Sequence, residues 1–411
     1  MNNKKNSKKS KNFISNSDTL GIFEGLDIAI NFSILPFMAF FYFDFLEYKT
    51  AILLTLSIIC ISFLVRFFLP FIGFSLQKII RYTKKPFFFI LIFSLYFSQI
   101  LALNTEFFLY LNILIFILTR IAVGFFFSTN NILFLNFVNG EQNDFYKIKY
   151  FLMIIIGIFL GLFFSSIVNE IYSNNQLNEW AWKVTYLPLI IFIPIIYIFN
   201  KSNFRSYGSV SSIEMLSSRM NFSLVIRFFL RNLIIVIPLI FLFLFCFNDW
   251  LPGTVYPENM FFSEIKLVHI IFLFIICIFS NLVFQLIGKN RSFLYFSVFS
   301  ILISLSLFFY SDNKSSYSIN SIHFFISFIS AFSISLFFYE ISNIKNKIAL
   351  NSINVFYSLN FIYLFIFLLL PITVYFLLYF ILKYNIIYLL TAFIFMISLT
   401  SSIYFKKKDI Y

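Results

Sequence analysis

The sequence is a succession of apolar runs, each close to the ~20 residues that a helix needs to cross a lipid bilayer. Twelve such runs follow one another along the 411 residues, which predicts twelve transmembrane helices. Six lie in the first half, at 20–43, 50–76, 87–104, 108–137, 150–168 and 184–200. Six lie in the second half, at 228–250, 266–287, 292–310, 320–340, 353–382 and 385–405.

The composition excludes a water-soluble protein. Hydrophobic residues make up 61% of the chain and charged residues 11%, whereas soluble domains are roughly 45–50% apolar and about 25% charged. Soluble enzymes and nucleic-acid-binding domains are therefore excluded. Three cysteines and two histidines leave no framework for zinc or haem, so we expect neither a metal nor a cofactor.

The basic residues indicate the topology. If both termini are cytoplasmic, the inside segments hold 23 Lys and Arg residues and the outside segments hold 5. Such an excess on one side of the membrane is the positive-inside pattern. It accounts for the net charge of +13, so no nucleic-acid partner is needed to explain it.

The largest inside loop divides the chain into two halves of six helices. We expect a basic tail at 1–19, a first bundle at 20–200, a linker at 201–221, a second bundle at 222–405 and a short tail at 406–411. Two repeated bundles with a site near the membrane midplane are typical of secondary transporters.

Four charged residues lie inside the predicted helices of the first half. Glu24 and Asp27 are three residues apart and share a helix face, so they either share a proton or face water at the cytoplasmic mouth. Arg120 stands within a long apolar run, where Arg costs ~2.5–3.5 kcal/mol. It requires a partner such as Asp27 or Glu24, or an anionic substrate. Arg66 either extends to the cytoplasmic surface or pairs with a carboxylate near the next loop.

Other polar residues have simpler interpretations. Asn130 and Asn131 line a cavity or bond across helices. Trp180 and Trp182 are expected in an interfacial aromatic belt, with Lys183 beside them extending to the membrane surface. Gly157 and Gly161 form a small-x-x-x-small pair, which is typical of close helix packing.

Five segments together resemble the major facilitator superfamily, and within it the metabolite:proton symporters that include proline/betaine, citrate, shikimate and 2-oxoglutarate transporters. Residues 21–28 are similar to a Glu-Trp-Tyr-Asp-Phe signature, with Glu24 and Asp27 in its acidic positions. Residues 63–66 are similar to Phe-Leu-Ile-Arg. Arg120 begins an R-x-x-x-G match, and residues 180–187 are similar to Trp-Gly-Trp-Arg-Ile-Pro-Phe-Leu.

The loop after the second helix supplies the fifth segment. It is similar to the G-x-x-x-D-R-x-G-R-R motif of the superfamily, with Arg81, Lys84 and Lys85 in basic positions and Ile80 where the motif has Asp. The resemblance implies a gating role for these three basic residues. It also implies substrate binding or proton coupling by the polar helix residues Glu24, Asp27, Arg66, Arg120, Asn130 and Asn131.

The sequence therefore predicts an all-α membrane protein with the major facilitator fold. We expect a monomeric, proton-coupled secondary transporter for a small polar or anionic metabolite, such as an osmolyte, an amino acid or a carboxylate. A membrane-embedded transferase and a degenerate transporter without proton coupling are the alternatives. The chain has 67 Phe, whose codons are rich in A and T, but only 10 Gly, whose codons are rich in G. This bias indicates a bacterium with an AT-rich genome, and we expect the protein in its inner membrane.

Overall fold

The computed structural model describes most of the first half of the chain and several helices of the second. The described residues are 19–82, 86–103, 106–140, 144–200, 264–287, 289–310, 327–336 and 385–408, with short stretches between 225 and 372. Within the first half, the side chains of 69–88, 104–107, 128–152, 174 and 199–200 lie outside that description. The predicted linker at 201–221 and the first 18 residues also lie outside it.

The chain divides into two compact units, Met1–Ser217 and Ser218–Tyr411. In the first unit the helices are α1 (Thr19–Ser33), α2 (Leu35–Phe43), α3 (Tyr48–Tyr82), α4 (Pro86–Ile100), α5 (Glu106–Gly140), α6 (Asp144–Ile171), α7 (Asn174–Glu179) and α8 (Leu187–Asn200). A 3₁₀ helix at Ala181–Tyr186 leads into α8. In the second unit the long described helices are α9 (Glu264–Ile287), α10 (Lys289–Tyr310), α11 (Ser327–Leu336) and α12 (Asn385–Lys408).

The described residues contain no strand. Five of their helices are long and apolar enough to cross a membrane, or six if the bent pair α1 and α2 forms one span. The predicted span at 20–43 is bent in the structure, because α1 and α2 meet at an angle of 60°. Pro36 lies in the first turn of α2. It lacks an N–H and its ring excludes the carbonyl four residues earlier, so the helix breaks at Ile34.

Glycine allows two helix pairs of the first unit to approach closely. A Cβ on Gly25 of α1 would meet the carbonyl of Ile154 in α6, and a Cβ on Gly157 would meet the carbonyl of Ile22. A Cβ on Gly124 of α5 would lie 2.6 Å from the carbonyl of Ser62 in α3. These contacts fix α1 against α6, and α3 against α5.

The described cores of both units contain packed aromatic rings and hydroxyl groups that bond across helices. In the first unit, Phe23 packs on Phe127 at 5.6 Å between centroids. The second unit contains buried hydroxyl groups that bond across helices. Ser280 Oγ lies 2.5 Å from Ser335 Oγ, and Thr391 Oγ1 lies 3.2 Å from Ser304 Oγ.

Candidate functional site

One face of α1 carries three polar side chains into the apolar interior of the first unit. Glu24, Asp27 and Asn31 follow the helical spacing of three and four residues. Their exposed fractions are 5%, 3% and 0%. Groups buried in this way need hydrogen-bond or ionic partners, and the neighbouring helices supply them.

Asp27 binds Arg120 of α5. Arg120 Nη1 donates to both carboxylate oxygens of Asp27, at 3.1 Å to Oδ1 and 3.3 Å to Oδ2. Tyr96 of α4 donates its hydroxyl to Asp27 Oδ1 and accepts a hydrogen bond from Arg120 Nη2 at 3.1 Å. The three side chains therefore form a closed triangle, and Tyr96 contacts both charges.

Asn31 extends this triangle along α1. Its Nδ2 donates to Asp27 Oδ1 at 2.9 Å and to the Asp27 carbonyl at 2.6 Å. Its Oδ1 accepts from the hydroxyl of Tyr186 at 3.0 Å. Asn31 thus links Asp27 to Tyr186, in the 3₁₀ helix that leads into α8.

Glu24 forms a second ion pair, with Arg66 of α3. Arg66 Nη1 lies 2.5 Å from Glu24 Oε1. The guanidinium also lies over two rings, 4.7 Å from the centroid of Phe127 and 5.2 Å from that of Phe63. Arg66 is 1% exposed, so the interpretation that it extends to the cytoplasmic surface is wrong. Its described ionic partner is Glu24 of α1. Each carboxylate therefore has its own guanidinium partner, and a proton shared between Glu24 and Asp27 stays a prediction.

An aromatic cluster surrounds the Asp27 triangle. Tyr42 stacks on Phe116 with centroids 5.2 Å apart, and the Arg120 guanidinium lies 5.8 Å from the Phe116 ring. Trp182 packs against Tyr42 and Tyr186, each at 6.1 Å. Among the described residues, the Tyr42 hydroxyl, the Trp182 indole N–H and the Arg120 Nε–H have no hydrogen-bond partner.

One tryptophan of the predicted aromatic belt, and the lysine beside it, lie in the interior of the first unit. Trp182 is fully buried, and its neighbour Lys183 donates to the carbonyl of Ala102 and lies 4.3 Å from the Phe41 ring. Both interpretations, as a belt residue and as a surface-reaching lysine, are wrong because the 3₁₀ helix turns these side chains inward. Trp180 is 45% exposed, as an interfacial residue would be.

The remaining predicted site residues are not described at the side-chain level. Asn130 and Asn131 lie on α5, and Arg81 lies near the end of α3, but their side chains are outside the described set. Lys84 and Lys85 lie outside it entirely. The gating loop thus stays a prediction.

Sequence reasoning missed Asn31, Tyr96 and Tyr186. Asn31 carried a signal, because it follows Asp27 by four residues and so lies on the same helix face. Tyr96 and Tyr186 carried none, since the chain has 24 tyrosines. Among the described residues, no group of three His, Cys, Asp or Glu side chains is placed to hold a metal ion.

No family model and no curated protein matches the chain. Solved structures do match it. The proton:xylose symporter XylE, a major facilitator superfamily protein, aligns with a TM-score of 0.66 at 11% identity, over 98% of this chain and 96% of that one. The E. coli fucose:proton symporter FucP aligns with a TM-score of 0.56 at 12% identity, over 95% and 98%.

A bacterial homologue of the iron transporter ferroportin aligns with a TM-score of 0.60 at 11% identity, over 96% of this chain and 99% of that one. Structural similarity at such low sequence identity establishes the fold alone. The chain has the all-α major facilitator fold, which confirms the fold class predicted from the sequence.

Proposed function

We propose that this chain is a secondary active transporter that moves a small polar or anionic metabolite across the membrane by alternating access, coupled to protons. The observation that carries the proposal is the buried triangle of Asp27, Arg120 and Tyr96. Ionisable groups inside a membrane are costly, and they mark ion and substrate pathways by default. XylE and FucP, which share the fold, are proton symporters by name.

Protonation of Asp27 is the proposed coupling step. An ionised Asp27 holds Arg120 through two hydrogen bonds to its carboxylate. A neutral Asp27 loses the charge attraction, which is strong in a medium of low dielectric constant. Arg120 and Tyr96 then change partners. A pair that closes and opens with the proton is the two-state element that alternating access requires.

The unsatisfied donors support an anionic or strongly polar substrate. The Tyr42 O–H, the Trp182 N–H and the Arg120 Nε–H are donors without an acceptor among the described residues. An oxygen-rich ligand would supply acceptors for them. A guanidinium also matches the planar geometry of a carboxylate. We therefore place the substrate contact at Arg120 when its bond to Asp27 opens.

The cellular setting follows from the sequence. We propose a monomer in the inner membrane of a bacterium, with both termini cytoplasmic, since the basic residues are concentrated in the segments assigned to the inside. The gating loop would contain Arg81, Lys84 and Lys85.

Uptake into vesicles tests the function. Purified protein is reconstituted and offered labelled proline, betaine and dicarboxylates, with and without an inside-alkaline pH gradient. We expect uptake of at least one solute that rises with the gradient and falls when a protonophore collapses it. Uptake that is independent of the gradient would instead identify a transporter without proton coupling. Absence of uptake for the whole panel, in protein shown to be folded, would contradict the proposal.

A further inference from the structure

We infer that Glu24 is a second proton-binding site, so that the proposed transporter carries two protons per cycle. This inference rests on the proposed function. The observation behind it is that α1 makes two similar carboxylate–arginine ion pairs. Glu24 and Asp27 are one helical turn apart, and each meets a separate arginine from a separate helix, Arg66 of α3 and Arg120 of α5.

Stability alone does not explain two buried ion pairs. The side chains of Glu24 and Arg66 are 6% and 2% exposed, and those of Asp27 and Arg120 are 5% and 1% exposed. The cost of removing two charges from water commonly equals or exceeds the attraction between them, and apolar replacements are often neutral or stabilising. The presence of a second pair in an apolar bundle therefore points to a use of its charge.

Both arginines have aromatic neighbours in addition to their carboxylate partners. Arg66 lies over Phe127 and Phe63, at 4.7 and 5.2 Å. Arg120 lies near Tyr96 and Phe116, at 5.7 and 5.8 Å. A cation over ring faces stays partly stabilised when it is desolvated. When a carboxylate becomes neutral, its arginine therefore still has a stabilising contact with an aromatic ring.

The packing links the two sites mechanically. Gly124 brings α5 against Ser62 of α3, so the two arginines stand on helices that are fixed to each other. Both carboxylates stand on α1, which is fixed to α6 through Gly157. A displacement of α1 with α6 relative to α3 with α5 would open both ion pairs together.

Among the described residues, the charged and titratable groups near Glu24 include Arg66 from α3 and Asp27 on α1 itself, with Arg120 and Tyr96 beyond Asp27 from α5 and α4. From α6, the described contacts with α1 include those of Gly157, Gly161 and Ser165, which do not titrate. Glu24 thus has a cation at its carboxylate and a second carboxylate one turn away.

The proton balance is simple. Each carboxylate takes one proton from water on the outer side, forming an O–H bond, and releases that proton to water on the inner side. No other bond forms or breaks. With a monoanionic substrate, one net positive charge enters per cycle, so transport would respond to the membrane potential.

Infrared difference spectroscopy on the full chain in nanodiscs tests the inference with the proton as the ligand. The spectrum is followed from high to low pH, and the C=O stretch of newly protonated carboxyl groups is identified by its shift in D₂O. We expect two buried carboxyl bands in the wild type. Asp27→Asn should remove one, Glu24→Gln should remove the other, and the exposed control Glu179→Gln should leave both.

A wild-type spectrum from Glu24→Gln would overturn the inference, because Glu24 would then remain ionised throughout. If the single variant does not fold, the variant Glu24→Gln with Arg66→Gln removes both charges of the pair. Loss of the same band in this double variant supports the second site, and its persistence overturns it.

A transport measurement separates this inference from the proposed function. With the membrane potential clamped at zero, each coupled proton supports a roughly tenfold accumulation of a transported solute per pH unit. Two protons give about a hundredfold accumulation, and Glu24→Gln should return it to about tenfold. Tenfold accumulation in the wild type would overturn the second site while leaving proton-coupled transport intact.

Discussion

At the scale of single residues, the partners of the two buried arginines differ in how far the sequence predicts them. The position of Arg120 in a long apolar run required a partner, and the structure provides Asp27, one of the two carboxylates considered. Arg66 was harder to place, because its partner Glu24 is 42 residues away and pairing between helices depends on how they rotate. Trp182 was misplaced because the sequence does not show which way a short 3₁₀ helix turns its side chains.

Replacing Arg120 with Lys tests the geometry of the triangle at constant charge. A lysine cannot contact Asp27 and Tyr96 through separate nitrogens in a plane. The loss of a charge-assisted hydrogen bond is worth ~1.5–3 kcal/mol, so we expect initial uptake rates to fall about tenfold or more. The exposed Arg291→Lys is the control. Wild-type rates for Arg120→Lys would show that a positive charge alone suffices.

The two neighbouring tryptophans predict different effects on stability. Trp182 is fully buried against Phe41, Tyr42 and Tyr186, so Trp182→Ala should destabilise the protein by about 3–5 kcal/mol. Trp180 is 45% exposed, so Trp180→Ala should stay within about 1 kcal/mol. Thermal unfolding in detergent measures both. Equal melting temperatures for the two variants would be inconsistent with this burial.

At the scale of helices, the apolar runs predicted where helices form but not how they bend or pack. The break between α1 and α2 follows from Pro36, yet proline is also tolerated in helices that continue, so its presence alone did not decide the matter. The small-x-x-x-small pair at Gly157 and Gly161 did predict close packing. Its partner helix, α1, was not readable from the sequence because the contact depends on the bundle topology.

A methyl group at Gly157 tests the contact between α1 and α6. In Gly157→Ala the new Cβ meets the carbonyl of Ile22, which is backbone and cannot rotate away. We expect a loss of stability of about 1–3 kcal/mol, together with slower transport. Gly161→Ala is the matched comparison, since its Cβ lies 2.8 Å from the Ala29 side chain. Thermal unfolding should place Gly157→Ala below Gly161→Ala, and the reverse order would contradict the close backbone contact between these helices.

At the scale of the whole molecule, the fold was predictable because the bilayer limits the choices. A helix that crosses it satisfies its own backbone hydrogen bonds, so the apolar runs indicate helices directly. The order of five short motifs then pointed to the fold. The substrate was not predictable in this way, since it depends on a few side chains whose convergence the apolar pattern does not specify.

The membrane topology has a direct test in reporter fusions. The distribution of basic residues predicts a cytoplasmic location for fusions at Asn203, Asn290 and Asn346. It predicts the outside for fusions at Asn174, Asn259 and Asn313. An enzymatic reporter active only on one side of the membrane distinguishes the two sets. An inverted pair of neighbouring fusions would remove one crossing and contradict the arrangement of twice six helices.

The most direct test of the coupling role of Asp27 compares two transport modes in one variant. Asp27→Asn keeps the size of the side chain but cannot change protonation. In vesicles with matched protein levels, we expect the proton coupling carried by Asp27 to be lost, so that gradient-driven accumulation falls roughly tenfold or more per pH unit, while exchange of labelled for unlabelled solute stays measurable. The exposed Asp44→Asn should retain both modes. Gradient-driven uptake by Asp27→Asn at the wild-type rate and pH dependence would contradict the proposed role.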